Sequence, residues 1–211
     1  VAPGLTAPLV INYYLLTPAT VEPVTLAELK VHLRLDLTDT SEDAMLGVLI
    51  GAARQQAEEY TRRSFLTQTW RMTMDTFPIG VDPLVDVIRF PRGPVQSVTS
   101  VKYIDINGVT QTWDTANYFV DLHAVPPFLT VQWAVIWPIT RGYYQRNAVT
   151  IDYVTGFGDA PADVPAPIRQ ALLLICGDLY QNKEASIVGT IWTENPAVKA
   201  LLDFYRLPEF R

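Results

Sequence analysis

The chain has 211 residues, 49% of them hydrophobic and 18% charged, a net charge of −6 and one cysteine. That is enough apolar material for one large or two small cored domains. Acidic groups outnumber basic ones in every third of the chain, so no segment is the basic block that phosphate gripping calls for; the single Cys176 excludes an internal disulfide, and no apolar run is long enough for a helical membrane span.

Residues 1–21 (VAPGLTAPLVINYYLLTPATV) are apolar, carry prolines and show no period, and are expected to form an extended N-terminal arm. They lack the basic start and continuous apolar core of a secretory leader, which with the lone cysteine fits a reducing compartment. Thr25 with Glu28 three residues later forms a capping box, and Leu26, Leu29 and Leu33 recur at helical spacing, so a short helix is predicted here. Asp36, Asp39, Glu42 and Asp43 crowd the next turn, where negative charge favours a helix N-terminus. They lack the alternating ligands and central glycine of a calcium loop, so capping is the better account of them.

A long helix is predicted from about Ser41 to Arg63. Leu46, Ile50, Ala53, Ala57 and Tyr60 fall within roughly 80° at about 100° per residue, and Met45, Val48, Leu49 and Ala52 widen the stripe. Asp43, Gly47, Gly51, Arg54 and Glu58 lie on the other side. Each glycine costs about 1 kcal/mol relative to alanine in a helix. Either the glycines are tolerated in solvent, or they let a neighbouring backbone approach. On the second reading Gly47, Gly51, Arg54 and Glu58 form a subunit interface.

From Thr67 the period changes to two. Strands are predicted at Thr67–Asp75, Asp86–Phe90, Val95–Ile106, Thr110–Trp113, Tyr118–Leu122, Phe128–Trp133 and Ala148–Tyr153, with a hairpin turn at Asn107-Gly108. Short strands at this spacing suggest a small antiparallel sandwich or barrel, and the many prolines belong to its edges and loops. After Gly158 the helical period returns. Ile168, Ala171, Leu172, Ile175 and Leu179 make one stripe, and Leu173, Leu174, Cys176 and Tyr180 make a second apolar side. A last helix starts at Asn195-Pro196, with Ala197, Leu201 and Phe204 at helical spacing. The remaining Leu207–Arg211 is an apolar and cationic end with no evident place to pack in its own subunit.

The order is helices, about 90 residues of strand pattern, then helices. The expected fold class is α+β: a helical bundle domain (22–66 and 159–206) split by an inserted antiparallel β-sandwich or barrel-like domain (67–158), with the arm 1–21 and a tail 207–211 outside both.

No phosphate-binding glycine loop, nucleophile elbow or zinc-protease motif occurs. Two histidines, His32 and His123, give little material for a metal site or a triad, and Cys176 sits in an apolar helix with no cation beside it. No catalytic, metal or cofactor site is therefore expected. Trp70, Trp113, Trp133 and Trp137 all fall in the β region. They suit a core or subunit interface better than a sugar-stacking platform, although a carbohydrate- or receptor-binding β module stays open as an alternative.

Several phrases taken in order resemble one family. They are PVTLAELKVHLRL with its acidic turn, AARQQAEEYTRRSF, PRGPVQSVTSVKYID, VTGFGDAPADVPAPIRQALLLICGDLYQNKEA and AVKALLDFYR, spanning about residues 22 to 206. Together they resemble the head–tail connector (adaptor) proteins of tailed bacteriophages and gene transfer agents. Members often carry glycine where this chain has Arg62, and the arm before Glu22 is longer than expected.

The resemblance implies a structural protein of the virion neck, assembled in the host cytoplasm, with no enzymatic activity. It implies a ring of copies, typically twelve, below the portal. The ring extends the DNA channel, without sequence-specific DNA contact or membrane contact, and docks a stopper or tail-completion protein. A tail-terminator or stopper ring is the structural alternative. Ring contacts are expected on the outer faces of the helices at Ser41–Arg63 and Ile168–Gln181. Carried over from relatives, the portal-binding segment is the C-terminal tail, with Phe204, Leu207, Phe210 and Arg211 as anchors. Deletion of Leu207–Arg211 is expected to leave folding intact.

Overall fold

In the computed structural model, residues 11–78, 86–141, 145–182 and 195–208 are described. Among them are eight strands and four α-helices, in an α+β arrangement with antiparallel sheets. The chain divides into two units: residues 1–18 with 68–155, and residues 19–67 with 156–211.

The first helix starts where the sequence places it. α1 (Leu26–Leu33) opens on a complete capping box: the Glu28 N–H donates to Thr25 Oγ1 at 3.2 Å, and the Thr25 N–H to Glu28 Oε2 at 2.8 Å. α2 (Asp43–Thr61) buries Leu46, Ile50, Ala53 and Ala57, the stripe set by its period. α3 (Ala166–Gln181) brings Ile168, Ala171, Leu172, Ile175 and Cys176 to the same core. α4 (Pro196–Asp203) is capped by Asn195, whose Oδ1 accepts the Ala197 N–H at 3.1 Å. Its packed face runs through Val198, Leu201, Leu202 and Tyr205, offset from the expected Ala197–Phe204 face, because Leu202 is the residue that reaches the core.

The acidic turn does different work from simple helix capping. Glu42 is the N-cap of α2 but makes no side-chain cap bond; its carboxylate accepts the Tyr180 hydroxyl at 2.6 Å instead. Asp43 pairs at 2.5 Å with Lys30, a lysine only 4% exposed, whose ammonium also donates to the Asp39 carbonyl at 2.6 Å. Asp36 and Asp39 each accept a backbone N–H two residues on, from Thr38 and Ser41. These are local turn bonds that stiffen a loop without a helix dipole. α2 ends in a left-handed residue, Arg62 at φ 56°, which is the conformation in which glycine is unstrained.

In the β unit, β2 (Gln68–Met74) and β8 (Val149–Thr155) lie at the centre of a five-stranded antiparallel sheet of order β1-β2-β8-β4-β5. β1 is Ile11–Thr17, β4 Val95–Ile104 and β5 Thr110–Trp113. A second sheet has the order β3-β7-β6, from Ile88–Arg89, Phe128–Val131 and Tyr118–Asp121. Both are open rows, so the described strands do not close a barrel. Met72, Val101, Ile151 and Tyr153 from the first sheet share a core with Ile88, Tyr118 and Leu129 from the second and with Phe90, just after β3. Arg71 and Asp152 face each other across β2 and β8 in a two-point ion pair of 2.6 and 2.8 Å.

Residues 11–17, part of the stretch expected to be an extended arm, are a strand paired antiparallel with β2 from Ile11↔Met74 to Thr17↔Thr69. Their sequence carries no alternation because an edge strand exposed on both faces is not forced into one: every residue from Asn12 to Thr17 is exposed. Tyr13 does pack its ring 5.9 Å from that of Trp70.

Gly156, just after β8, sits at φ 131°, and a Cβ there would stand 2.5 Å from the Leu66 carbonyl. Only glycine allows the returning chain so close to the outgoing one. Backbone bonds from Phe157 to Phe65 (3.2 Å) and from Thr67 to Gly158 (3.0 Å) then hold the two segments together.

Candidate functional site

The residues nominated for docking lie on the helical unit, and its own packing sorts them. Gly47 is exposed, and a Cβ built on it meets nothing within 4 Å. At Gly51 the nearest atom would be Glu22 Oε1 at 3.9 Å, an ordinary contact. Neither glycine is demanded by the subunit itself.

Arg54 and Glu58 do not share that outward face, contrary to expectation. Arg54 donates to Glu22 at 2.8 Å and to Glu58 at 3.0 Å. Glu58 is 5% exposed, and its other oxygen accepts the Phe65 N–H at 2.9 Å. Burial works against the Arg54 charge, but the two carboxylates outweigh it and raise its pKa. The pair therefore ties the segment before α1 and the chain leaving α2 to α2 itself. A carboxylate so desolvated persists because a guanidinium and a backbone N–H satisfy it.

The C-terminal segment is likewise divided. Leu207 is 1% exposed and its N–H donates to the Thr61 carbonyl at 2.9 Å, so it belongs to the subunit's core and is not a free portal anchor. Phe204 is 87% exposed. Phe210 and Arg211 lie outside the described residues.

Three further residues hold this segment, and the sequence reading missed them. The Tyr60 hydroxyl donates to the Asp203 carboxylate, and Arg63 Nε donates to the Tyr205 carbonyl. Thr61 supplies the carbonyl for Leu207. The Arg206 guanidinium stands 5.2 Å over the Tyr60 ring, and Tyr205 meets Phe157 edge-on at 6.4 Å. Burial of Arg63 lowers its pKa from the ordinary arginine value. The available signal was the Arg62-Arg63 pair at a helix end, in a chain with no other adjacent basic residues.

Elsewhere the polar and aromatic candidates are absorbed by structure. Burial pushes the Cys176 thiol up to about 11, away from nucleophilic use. Among the described residues no group of three or more histidine, cysteine and acidic side chains is placed to hold a metal. A shallow groove of about 410 Å³ is lined by Ala27, Glu28, Val31, His32 and Leu173 and lacks the converging polar groups of a ligand pocket. Trp70, Trp113 and Trp137 are buried, the last stacked on Phe77 at 5.2 Å. Trp133 alone of the described tryptophans is open, at 95% exposure. Two of the three tryptophans that the carbohydrate alternative called on, Trp113 and Trp137, are thus taken up by the core, and Trp133 is the one of the three left exposed.

Of the residues nominated for docking, Gly47 and Phe204 are left exposed on the described surface. Residues 23–121 match the family model described as phage gp6-like head-tail connector protein. A chain in the neck of an empty gene transfer agent particle is 24% identical, with a TM-score of 0.73 over 96% of this chain and 97% of that one. A chain of the native gene transfer agent virion gives 23% and 0.73 over 95% and 97%. A chain in the native particle's neck, computed with C12 symmetry, gives 23% and 0.67 over 96% and 97%. No curated protein matches the chain. At these identities the solved chains establish the shared fold. With the family match, they show the resemblance to head–tail connectors and support a structural connector role.

Proposed function

We propose that this protein is a structural head–tail connector (adaptor) of a tailed phage or phage-like particle, with no enzymatic role. Copies form a ring, dodecameric in this reading, below the portal in the virion neck, after synthesis and assembly in the host cytoplasm. The ring prolongs the DNA channel and docks a stopper or tail-completion protein. The acidic balance suits a wall past which DNA slides without being held.

The observation that carries this reading is the shared fold along nearly the whole length of chains from gene transfer agent particles. The family match over residues 23–121 adds independent sequence support. We take residues 22–66 and 159–206 as one helical domain split by the β insertion, with Gly47 and Gly51 on its contact face toward the next copy. We assign portal docking to Phe204 with Phe210 and Arg211.

The test is co-expression with the portal of the same particle, followed by imaging of the isolated necks. The expected result is a ring of this chain directly beneath the portal. A chain that never joins portal-containing necks would sink the proposal. Oligomeric state of the isolated protein is not a fair criterion, because connector rings can require the portal to form.

A further inference from the structure

We infer that Tyr60 and Arg63 are positioning residues for C-terminal docking: the end of α2 clamps residues 203–207 so that Phe204 is held outward in one fixed orientation. This rests on the assignment of portal docking to the C-terminal end. The clamp acts at successive points. Tyr60 takes the Asp203 side chain, Arg63 the Tyr205 carbonyl and Thr61 the Leu207 N–H, while Leu207 is buried. α4 ends at Asp203, so beyond it no helix holds the backbone in place.

The result is directional. Tyr205 and Leu207 face the subunit, whereas Phe204 between Asp203 and Tyr205 is held outward at 87% exposure, its ring edge-on to Tyr205 at 5.4 Å. An exposed aromatic on a fixed backbone is the arrangement that makes an interface anchor, because little freedom is left to lose on docking. Ordering each backbone residue carries an entropic cost. The clamp meets that cost during folding, so a portal pocket need not.

Three variants separate clamp from fold. Tyr60→Phe keeps the ring under Arg206 and removes only the hydroxyl. Arg63→Met keeps the length and removes the donor, and Arg63→Lys restores a donor. Each full-length variant is titrated against portal rings from the same particle, with amide hydrogen exchange at Leu207 and the thermal midpoint measured alongside. The expected result for Tyr60→Phe combined with Arg63→Met is faster exchange at Leu207, a midpoint lowered by only a few degrees and portal affinity down about tenfold. Arg63→Lys should recover most of that affinity.

Wild-type affinity in the double variant, with exchange at Leu207 clearly faster, overturns the inference. A chain ending at Leu207 distinguishes the two levels. If it binds portal as well as the full chain and Phe204→Ala does too, portal docking by this end is wrong and the clamp has no such role. If either loses affinity while the clamp variants do not, only the clamp is wrong.

Discussion

Thr25 and Glu28 show how much a few residues settle locally. Their reciprocal bonds satisfy two of the N–H groups that every helix start leaves open. Thr25→Ala should cost about 1 kcal/mol, read as a lower thermal midpoint. The Thr25 backbone N–H, with help from its hydroxyl and from Arg169, holds the Glu28 carboxyl below its ordinary range despite some burial. A depressed carboxylate contributes stability that is complete above its unfolded-state pKa, near 4.3, and is lost as pH falls through the lower folded value. Glu28→Gln should therefore flatten the loss of stability between about pH 5 and pH 3, measured by thermal unfolding across that interval. Gly156 is the opposite case, a residue whose necessity is invisible in its own neighbourhood of sequence. Gly156→Ala combines φ 131° with a 2.5 Å approach to Leu66, and should cost upwards of about 3 kcal/mol or prevent folding. A soluble variant with an unchanged midpoint would refute that.

At the scale of elements, the end of α2 has two tasks. It carries the buried Arg54–Glu58 pair, which satisfies the Phe65 N–H, and it holds the segment after α4. Glu58→Ala should be destabilising by about 1–3 kcal/mol, because it leaves the buried Phe65 N–H unpaired and Arg54 with Glu22 as its remaining carboxylate. Leu207→Ala should cost about 2–5 kcal/mol, whereas removal of residues 208–211 should leave the midpoint near that of the full chain. Deletion of Leu207–Arg211, expected from sequence to be harmless to folding, should therefore resemble Leu207→Ala in denaturant unfolding. The seven strands predicted after Thr67 all occur, with ends shifted by a few residues. Alternation was legible there because β2 and β8 each bury one face more than the other. β1 escaped that logic, since nothing in a two-sided, exposed edge strand imposes a period.

For the whole molecule, Gly47 is where stability and assembly should part. With open space around it, Gly47→Ala should stabilise the isolated chain by up to about 1 kcal/mol. If the next copy's backbone lies against this face, the same variant should reduce the yield of complete rings in particles, counted by imaging; rings at wild-type yield would remove Gly47 from the interface. The sequence by itself determined the helices, the strands from β2 onward and the family resemblance. Those depend on short-range caps, periods and turn residues, and on phrases whose order survives without coordinates. Which residues were free to dock was decided only by the tertiary structure. Glu58 and Leu207 read as surface because one is charged and the other follows a helix end. The fold supplies Arg54 and the Phe65 N–H to the first, and the Thr61 carbonyl and a buried site to the second. Burial is a property of distant segments meeting, and no local pattern records which segments those are.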